Sequence, residues 1–343
     1  MRRLLNTFYI TMPDVYLSLD GENIVVKRDE TAIKRWPLHN LESIVTFGRL
    51  GASPALMHKC AESGISLTFL TAHGRFIASV TGEVQGNVLL RRTQYRYADD
   101  EIQCMGIARN ILTGKLHNCR WVLERAVRDH AMRVDTEKIK QAARFVADAA
   151  VAVRAAETPG VLRGLEGEAA NRYFSVFDEL ILSNKEDFFY TKRSRRPPLD
   201  NVNALLSFVY TLLANDIASA LSAVGLDPFV GFLHRDRPGR RSLALDLIEE
   251  LRAPLADRFV LTLINMRQLV GGDFSKKENG AVFLKDEARK TLLTAWQNRK
   301  QEMIEHPFLK EKIEWGLVPH TQALLLARFL RGDLDEYPPF LWK

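Results

Sequence analysis

Three short stretches carry residue types that could do chemistry on phosphates. The first is Leu162-Arg-Gly-Leu-Glu-Gly-Glu-Ala-Ala-Asn-Arg-Tyr-Phe. At helical spacing Leu162, Glu166, Ala170, Tyr173, Phe177 and Leu180 fall on one face, which puts Glu166 inside an apolar stripe. Gly164 and Gly167 flank it and would let another backbone or a ligand come close. A buried carboxylate needs a cation, a donor or a metal. An arginine partner, or a helix start at which Glu166 faces water, fits the same pattern. The second stretch is Gly231-Phe-Leu-His-Arg-Asp-Arg-Pro-Gly-Arg-Arg-Ser. Here His234 enters a turn with Arg235, Arg237, Arg240 and Arg241, a set suited to phosphate oxygens or to a solvated basic loop. The third is Ser242-Leu-Ala-Leu-Asp-Leu-Ile-Glu-Glu-Leu-Arg. Its core stripe is Ala244, Leu247, Ile248, Leu251 and Leu255, with Asp246, Glu249 and Glu250 on the neighbouring face. Carboxylates one helical turn apart can share a divalent cation, and a solvated acidic face reads identically.

Taken together, Glu166, His234 and Glu249 offer two hard oxygen donors and one imidazole, a set for Mg²⁺ or Mn²⁺ rather than for a closed zinc site. Lys192-Arg-Ser-Arg-Arg adds Lys192, Arg193, Arg195 and Arg196, and a further basic cluster, Arg91, Arg92 and Arg96, is interleaved with Tyr95 and Tyr97. Such runs favour a phosphate ligand, although each alone also reads as a solvated face. A P-loop is missing, since Arg109 stands where its first glycine belongs before Gly114-Lys115. G-x-G-x-x-G after a strand, H-E-x-x-H and G-x-S-x-G are absent too, which removes most support for nucleotide-switch and serine-hydrolase readings.

The elements that must position these residues change character along the chain. Short β-rich runs occupy Phe8–Ile10, Val15–Leu19, Asn23–Lys27, Ile44–Phe47, Ile65–Leu70 and Phe76–Val80, with one helix over Ser53–Glu62. From about Ala98 helical periodicity takes over: Ile102–Asn118, Arg120–His130, Lys138–Ala155, Leu162–Leu182, Asn201–Leu221, Leu243–Leu251, Lys285–Gln301 and Thr321–Leu330. Asp200 and Ser242 read as helix caps. The expected fold class is α+β, a small N-terminal β-rich domain (1–95) followed by a large all-α domain (96–343).

With 343 residues, 46% of them hydrophobic and 26% charged, the chain can bury a core and is neither disordered nor collagen-like. Three scattered cysteines are too few for a disulfide framework and suit a reducing cytosol. No apolar run looks long enough to span a membrane, and Met1–Thr7 turns polar before a signal-peptide core forms, so a cytoplasmic location without membrane contact is expected. A net charge of +6 is a mild hint of polyanion binding.

At these residues the chain resembles a known family, the CRISPR adaptation integrases, the first of the CRISPR-associated proteins. The resemblance lies in Gly164-Leu-Glu-Gly with Ala169, Ala170 and Tyr173, and in Pro198-x-Asp-x-Val-Asn-Ala-Leu-Leu-Ser-Phe leading to Tyr210. It continues in Gly225-Leu-Asp-Pro, Gly231-Phe-Leu-His and Leu245-Asp-Leu-x-Glu-Glu-Leu-Arg. Leu4-Leu-Asn-Thr through Leu17-Ser-Leu-Asp-Gly-Glu-Asn is similar to the subtype I-C branch. The resemblance implies a β-domain and a helical domain, and a metal-dependent DNA endonuclease and integrase. Glu166, His234 and Glu249 stand where the family places its metal ligands, although many members carry Asp at the last. Asp246 matches a second acidic position near the metal, and Arg252 a basic residue after it. Asn203 and Tyr210 match supporting positions. The implied reaction joins the 3′-hydroxyl of a captured double-stranded DNA fragment to a CRISPR repeat by transesterification. Arg235, Arg237, Arg240, Arg241, Arg252 and the Lys192–Arg196 cluster would hold DNA backbone. Also implied are a homodimer formed through the β-domain and a bridging dimer of the small second CRISPR-associated protein. Two competing readings are a structure-selective nuclease acting on branched or repair DNA, and a non-catalytic DNA-binding scaffold with Glu166 and Glu249 in structural ion pairs.

Overall fold

Alternating apolar residues in the first eighty positions build two small sheets. The computed structural model describes residues 7–41, 43–71, 76–80 and 88–343; the reading of Met1–Asn6, both as non-signal and as I-C-like, lies outside them. The elements are β1 (Thr7–Ile10), β2 (Tyr16–Asp20), β3 (Asn23–Arg28), β4 (Thr31–Pro37), β5 (Ser43–Thr46), α1 (Pro54–Glu62), β6 (Ser66–Leu70) and β7 (Phe76–Val80). β2, β3 and β4 form an antiparallel meander, and Gly21 at φ 56° supplies the left-handed turn between the first two. The second sheet has the order β1-β5-β6-β7, with β1, β5 and β6 parallel and β7 antiparallel. Leu17, Ile24, Val26, Ile44 and Leu67 turn inward from the strands, and Leu56 and Cys60 of α1 close the same core. β4 escaped the sequence reading because it is an exposed edge strand without a buried face; Lys34 lies over the rings of Phe8 and Trp36.

The rest of the chain supplies α2 (Val88–Asp99), α3 (Glu101–His130), α4 (Thr136–Ala155), α5 (Pro159–Ser175), α6 (Asn201–Ala223), α7 (Ser242–Leu251), α8 (Arg258–Asn265), β8 (Phe274–Lys276), β9 (Val282–Leu284), α9 (Asp286–Gln301), β10 (Met303–Glu305), β11 (Lys312–Glu314) and α10 (Val318–Leu330). The fold class is mixed α+β, strands first and then a mostly helical region. That region is not all-α, since β8–β9 and β10–β11 form two short ribbons. The two helices expected over 102–118 and 120–130 are one, because neither glycine nor proline breaks the pattern at buried Cys119.

Two compact units result, and their limits differ from the 1–95 and 96–343 division. The first comprises Met1–Gln85 with Leu284–Glu302, the second Gly86–Phe283 with Met303–Lys343. α9 returns to the first unit through Lys300 Nζ, 2.9 Å from Thr7 Oγ1, and Arg289, whose guanidinium lies over the Phe47 ring. α2 belongs to the second. Its buried Gln94 donates to Asp227 O and Val230 O and accepts from Asp227 N, all within 3 Å, and so fixes the loop leading to His234.

In the second unit α3 packs on α4, α5 and α7, and α7 also packs on α6. Contrary to expectation, α6 is long and apolar enough to cross a bilayer by length and composition, but it is mostly buried as a core helix of this unit. Asp200 caps α6 as expected, accepting from Asn203 N at 2.7 Å. Ser242 does not cap α7; it is the helix's first residue and donates to Arg235 O instead.

Buried His306 gives this unit an acid-sensitive point. Its Nδ1 accepts from Leu309 N at 3.3 Å and its Nε2 donates to Gln322 Oε1 at 3.1 Å, an arrangement that only the neutral ring satisfies. Burial pushes its pKa down from 6.5 to about 4. Between those values the unfolded chain takes up a proton that the folded one refuses, so stability falls with pH across this window, by about 3 kcal/mol in all. Urea midpoints of wild type and His306→Gln should therefore converge as pH drops from 7 to 4. A constant gap would show that His306 does not drive the loss.

Candidate metal and nucleic-acid site

Glu166 is delivered by α5, which begins at Pro159 behind the Thr158 cap and anchors on buried Leu162, Ala169 and Tyr173. A Cβ on Gly164 or Gly167 would meet nothing within 4 Å, so of the two approaches the glycines would allow, backbone or ligand, no backbone makes one. The Glu166 carboxylate pairs with the ammonium of Lys115 on α3, which also sits 2.8 Å from Glu249 Oε2 on α7. Glu249 Oε1 receives Arg252 Nη1 at 2.9 Å. Lys115 and Glu249 are almost fully buried, with side chains 7% and 3% exposed.

His234 is held by a different acid of the same helix. Asp246, wholly buried, accepts Phe232 N at 2.6 Å and Leu233 N at 3.0 Å on Oδ2, and His234 N at 3.0 Å on Oδ1. His234 Nδ1 lies 2.6 Å from the same Oδ1. A carboxylate oxygen accepts, so Nδ1 carries a proton, and in the neutral ring Nε2 then keeps its lone pair, the tautomer a metal ligand requires. Gly231 makes the loop possible, because a Cβ there would fall 2.7 Å from Asp246 Oδ2 and 2.9 Å from the Ser242 carbonyl carbon.

The acids of α7 thus have three separate fates, and none forms a solvated face: Asp246, Glu249 and Glu250 are all buried. Asp246 spends both oxygens on the His234 loop. Burial alone would raise Glu249, but Arg252 and Lys115, with His234 adding, hold it down to about 2. Burial opposes the charge of Lys115 as well, and Glu249 and Glu166 outweigh it. Glu250 points the other way and accepts from Tyr337 Oη, Gln322 Nε2 and Phe340 N, tying α7 to the C-terminal segment; burial pushes it up to about 8.

Beyond Arg252 the helix widens to π geometry over Arg252–Asp257, where Pro254 has no N–H to give. This carries Asp257 to the hydroxyls of Tyr210, 2.5 Å away, and Tyr173, 3.1 Å away. Burial raises Asp257 to about 6 against the pull of those two donors. The guanidinium groups of Arg193 and Arg252 both lie over the Tyr210 ring. Asn203 accepts from Arg193 Nη1 at 2.6 Å and donates to Lys192 O, which pins the basic segment to α6.

The basic residues therefore divide. Lys192, Arg195, Arg196, Arg235 and Arg237 are exposed and Arg240 is partly so. Arg193 and Arg252 are engaged internally, and Arg241 donates to Asn215 Oδ1 at 3.0 Å, so these three are not the free cations expected to hold DNA backbone. A cavity of about 320 Å³ opens beside the carboxylates, lined among others by Lys115, Glu166, Tyr173, Lys192, Arg195 and Asp257. Lys115 and Asp257 were missed as site residues. A lysine within a long helix reads as a solvent residue, and Asp257 depends on a π turn that leaves no periodicity.

Among the described residues no three of His, Cys, Asp and Glu converge ready to hold a metal. The donor set nevertheless fits a hard divalent cation. Glu249 Oε2 is buried without an aligned hydrogen-bond donor and faces positive charge, Glu166 faces the same charge, and His234 keeps Nε2 as an acceptor.

Comparison with known proteins adds the family. The model of "CRISPR associated protein Cas1" matches residues 8–298. CRISPR-associated endonuclease Cas1 1 of Chlorobaculum tepidum is 52% identical over 343 residues, covering all of both chains. Of solved structures, the Thermotoga maritima CAS1 protein TM1797 superposes with a TM-score of 0.81 at 23% identity, over 95% of this chain and 97% of that one, which is a likeness of fold. A chain of a Cas6-RT-Cas1–Cas2 complex gives 0.82 at 25% identity, over 98% of this chain and 36% of its own. With a family match along most of its length and a full-length relative above half identity, this chain belongs to the Cas1 family of CRISPR-associated proteins.

Proposed function

We propose that this protein is a metal-dependent DNA endonuclease and integrase of CRISPR adaptation, joining 3′-hydroxyl ends of short captured DNA to a repeat. The observation that carries the reading is the convergence of Glu166 and Glu249 from different helices beside a basic cavity, with His234, on the loop before α7, held through N and Nδ1 by Asp246 of that helix. Glu166, Glu249 and His234 would hold Mg²⁺ or Mn²⁺. When bound, the ion would polarise the scissile phosphodiester and lower the pKa of an attacking hydroxyl. Asp246, with no oxygen free, orients His234 rather than serving as a ligand. Lys192, Arg195, Arg196, Arg235 and Arg237 would grip DNA backbone with little sequence readout, and Arg193 and Arg252 would brace the site through Tyr210. Tyr173, Tyr210 and Asp257 form the buried wall that keeps those arginines in place. A homodimer bridged by the small second CRISPR-associated protein is part of the same reading; the fold match to a chain from a complex that contains Cas2 supports the second partner.

Water in place of the 3′-hydroxyl would make the same site a nuclease. The ion pairs of Glu166 and Glu249 are also what a non-catalytic scaffold would need. One experiment separates the three. Labelled short duplexes with free 3′-ends are incubated with a repeat plasmid, the small partner and Mn²⁺ or Mg²⁺, using wild type, Glu166→Ala and His234→Ala. Joining by wild type that falls about 100-fold or more in both folded variants supports the integrase. Cleavage without joining moves the nuclease reading forward. Joining undiminished in both variants rejects this metal site.

A further inference from the structure

The ammonium of Lys115 stands on the two oxygen donors assigned above to the metal. It pairs with Glu166 and with Glu249 Oε2, and among the described residues Nζ has no other ion-pair or hydrogen-bond partner. Arg252 closes the set by pairing with Glu249 Oε1. Two carboxylates thus face two cations, and the buried cluster is neutral without any metal. A divalent ion on the same oxygens would meet Lys115 at close range, where like charges repel strongly in a buried setting. Arg252 has a second hold in the Tyr210 ring, whereas Lys115 has none. Lys115 is therefore the cation that must give way.

Where the displaced ammonium would go follows from the cavity it lines. Of the acids there, Asp257 is already committed to two tyrosine hydroxyls, and Glu166 would be on the metal. The other charged residues that line it are cations: Lys192, Arg193, Arg195 and Arg252. The anion missing from this arrangement is one brought in from outside, a DNA phosphate. We infer that Lys115 is a built-in competitor of the divalent cation, neutralising Glu166 and Glu249 in the resting protein and passing its charge to substrate phosphate when the metal binds. The inference rests on the metal reading. It makes DNA and metal mutually reinforcing ligands, coupled through one side chain, so each raises the affinity for the other by the same factor.

The test is Mn²⁺ affinity of the full chain, read by the loss of free-Mn²⁺ EPR signal with and without a short duplex. Lys115→Met should bind Mn²⁺ about tenfold or more tighter than wild type without DNA, and the strengthening by DNA seen in wild type should shrink by a similar factor. Lys115→Arg keeps the charge and should bind Mn²⁺ as weakly as wild type. It also serves as the variant of record, with Lys115→Gln, should the methionine form fail to fold. Equal Mn²⁺ affinity in wild type, Met and Gln forms overturns the competitor and leaves the metal site standing. Weaker binding on removing the charge makes Lys115 a support for the ligands and likewise overturns it. Absence of Mn²⁺ binding in every form, with DNA present, overturns the metal reading and this inference with it.

Discussion

Asp246→Ala should cost about 3–5 kcal/mol of stability and reduce strand transfer to background. The carboxylate is fully buried and is the acceptor for three consecutive backbone N–H groups, those of Phe232, Leu233 and His234, as well as for the His234 ring. Alanine would leave those donors without their acceptor, two of them in buried hydrogen bonds, and each such buried group costs about 1–3 kcal/mol. The same change frees the ring to adopt the other tautomer, which turns Nε2 into a donor. Asp246→Asn keeps the shape but can accept on one atom only. Its amide nitrogen would face N–H groups on the other side, so an intermediate loss of stability is expected. Urea unfolding followed in parallel with strand transfer checks both effects. A wild-type unfolding midpoint in Asp246→Ala would mean that this carboxylate does not hold the loop.

The contrast between Asp246 and Lys115 shows what could be read from sequence. Asp246, Glu249 and Glu250 were visible as an acidic group at helical spacing, and Glu166 and His234 as polar residues inside apolar runs. Local periodicity makes such groups stand out. What each carboxylate touches was not visible, because the partners are distant: Lys115 is 51 positions from Glu166, and Tyr337 is 87 from Glu250. The strands of the first unit were legible where one face is buried, as in Leu17 and Ile24, and illegible in β4, whose residues are nearly all exposed. Charge counting placed Arg193 with Lys192 and Arg195, although burial separates it as a brace from those surface cations. The return of α9 to the first unit has no local signature, since its buried Trp296 and Leu292 would suit either core.

Glu249 carries the second large effect. Its removal would leave Lys115 with the partly exposed Glu166 alone and Arg252 without an ion pair, a situation that typically costs about 3–5 kcal/mol. Glu249→Gln should therefore unfold at clearly lower urea and lose metal-dependent joining. Adding Lys115→Met to it should recover part of the stability but none of the joining, because the pair is then removed together while the ligand is still missing. The pH dependence has a defined sign. Glu249 is held at about 2 in the folded chain against an ordinary value of 4.5, so the unfolded state binds the proton first as pH falls. The contribution is full above pH 4.5 and is lost towards pH 2, about 3 kcal/mol over that interval. The stability gap between wild type and Glu249→Gln should accordingly stay flat from pH 9 to pH 5 and close only below. A gap that narrows within the neutral range would mean that this carboxylate titrates there, and Lys115 and Arg252 could not then be the charges that hold it.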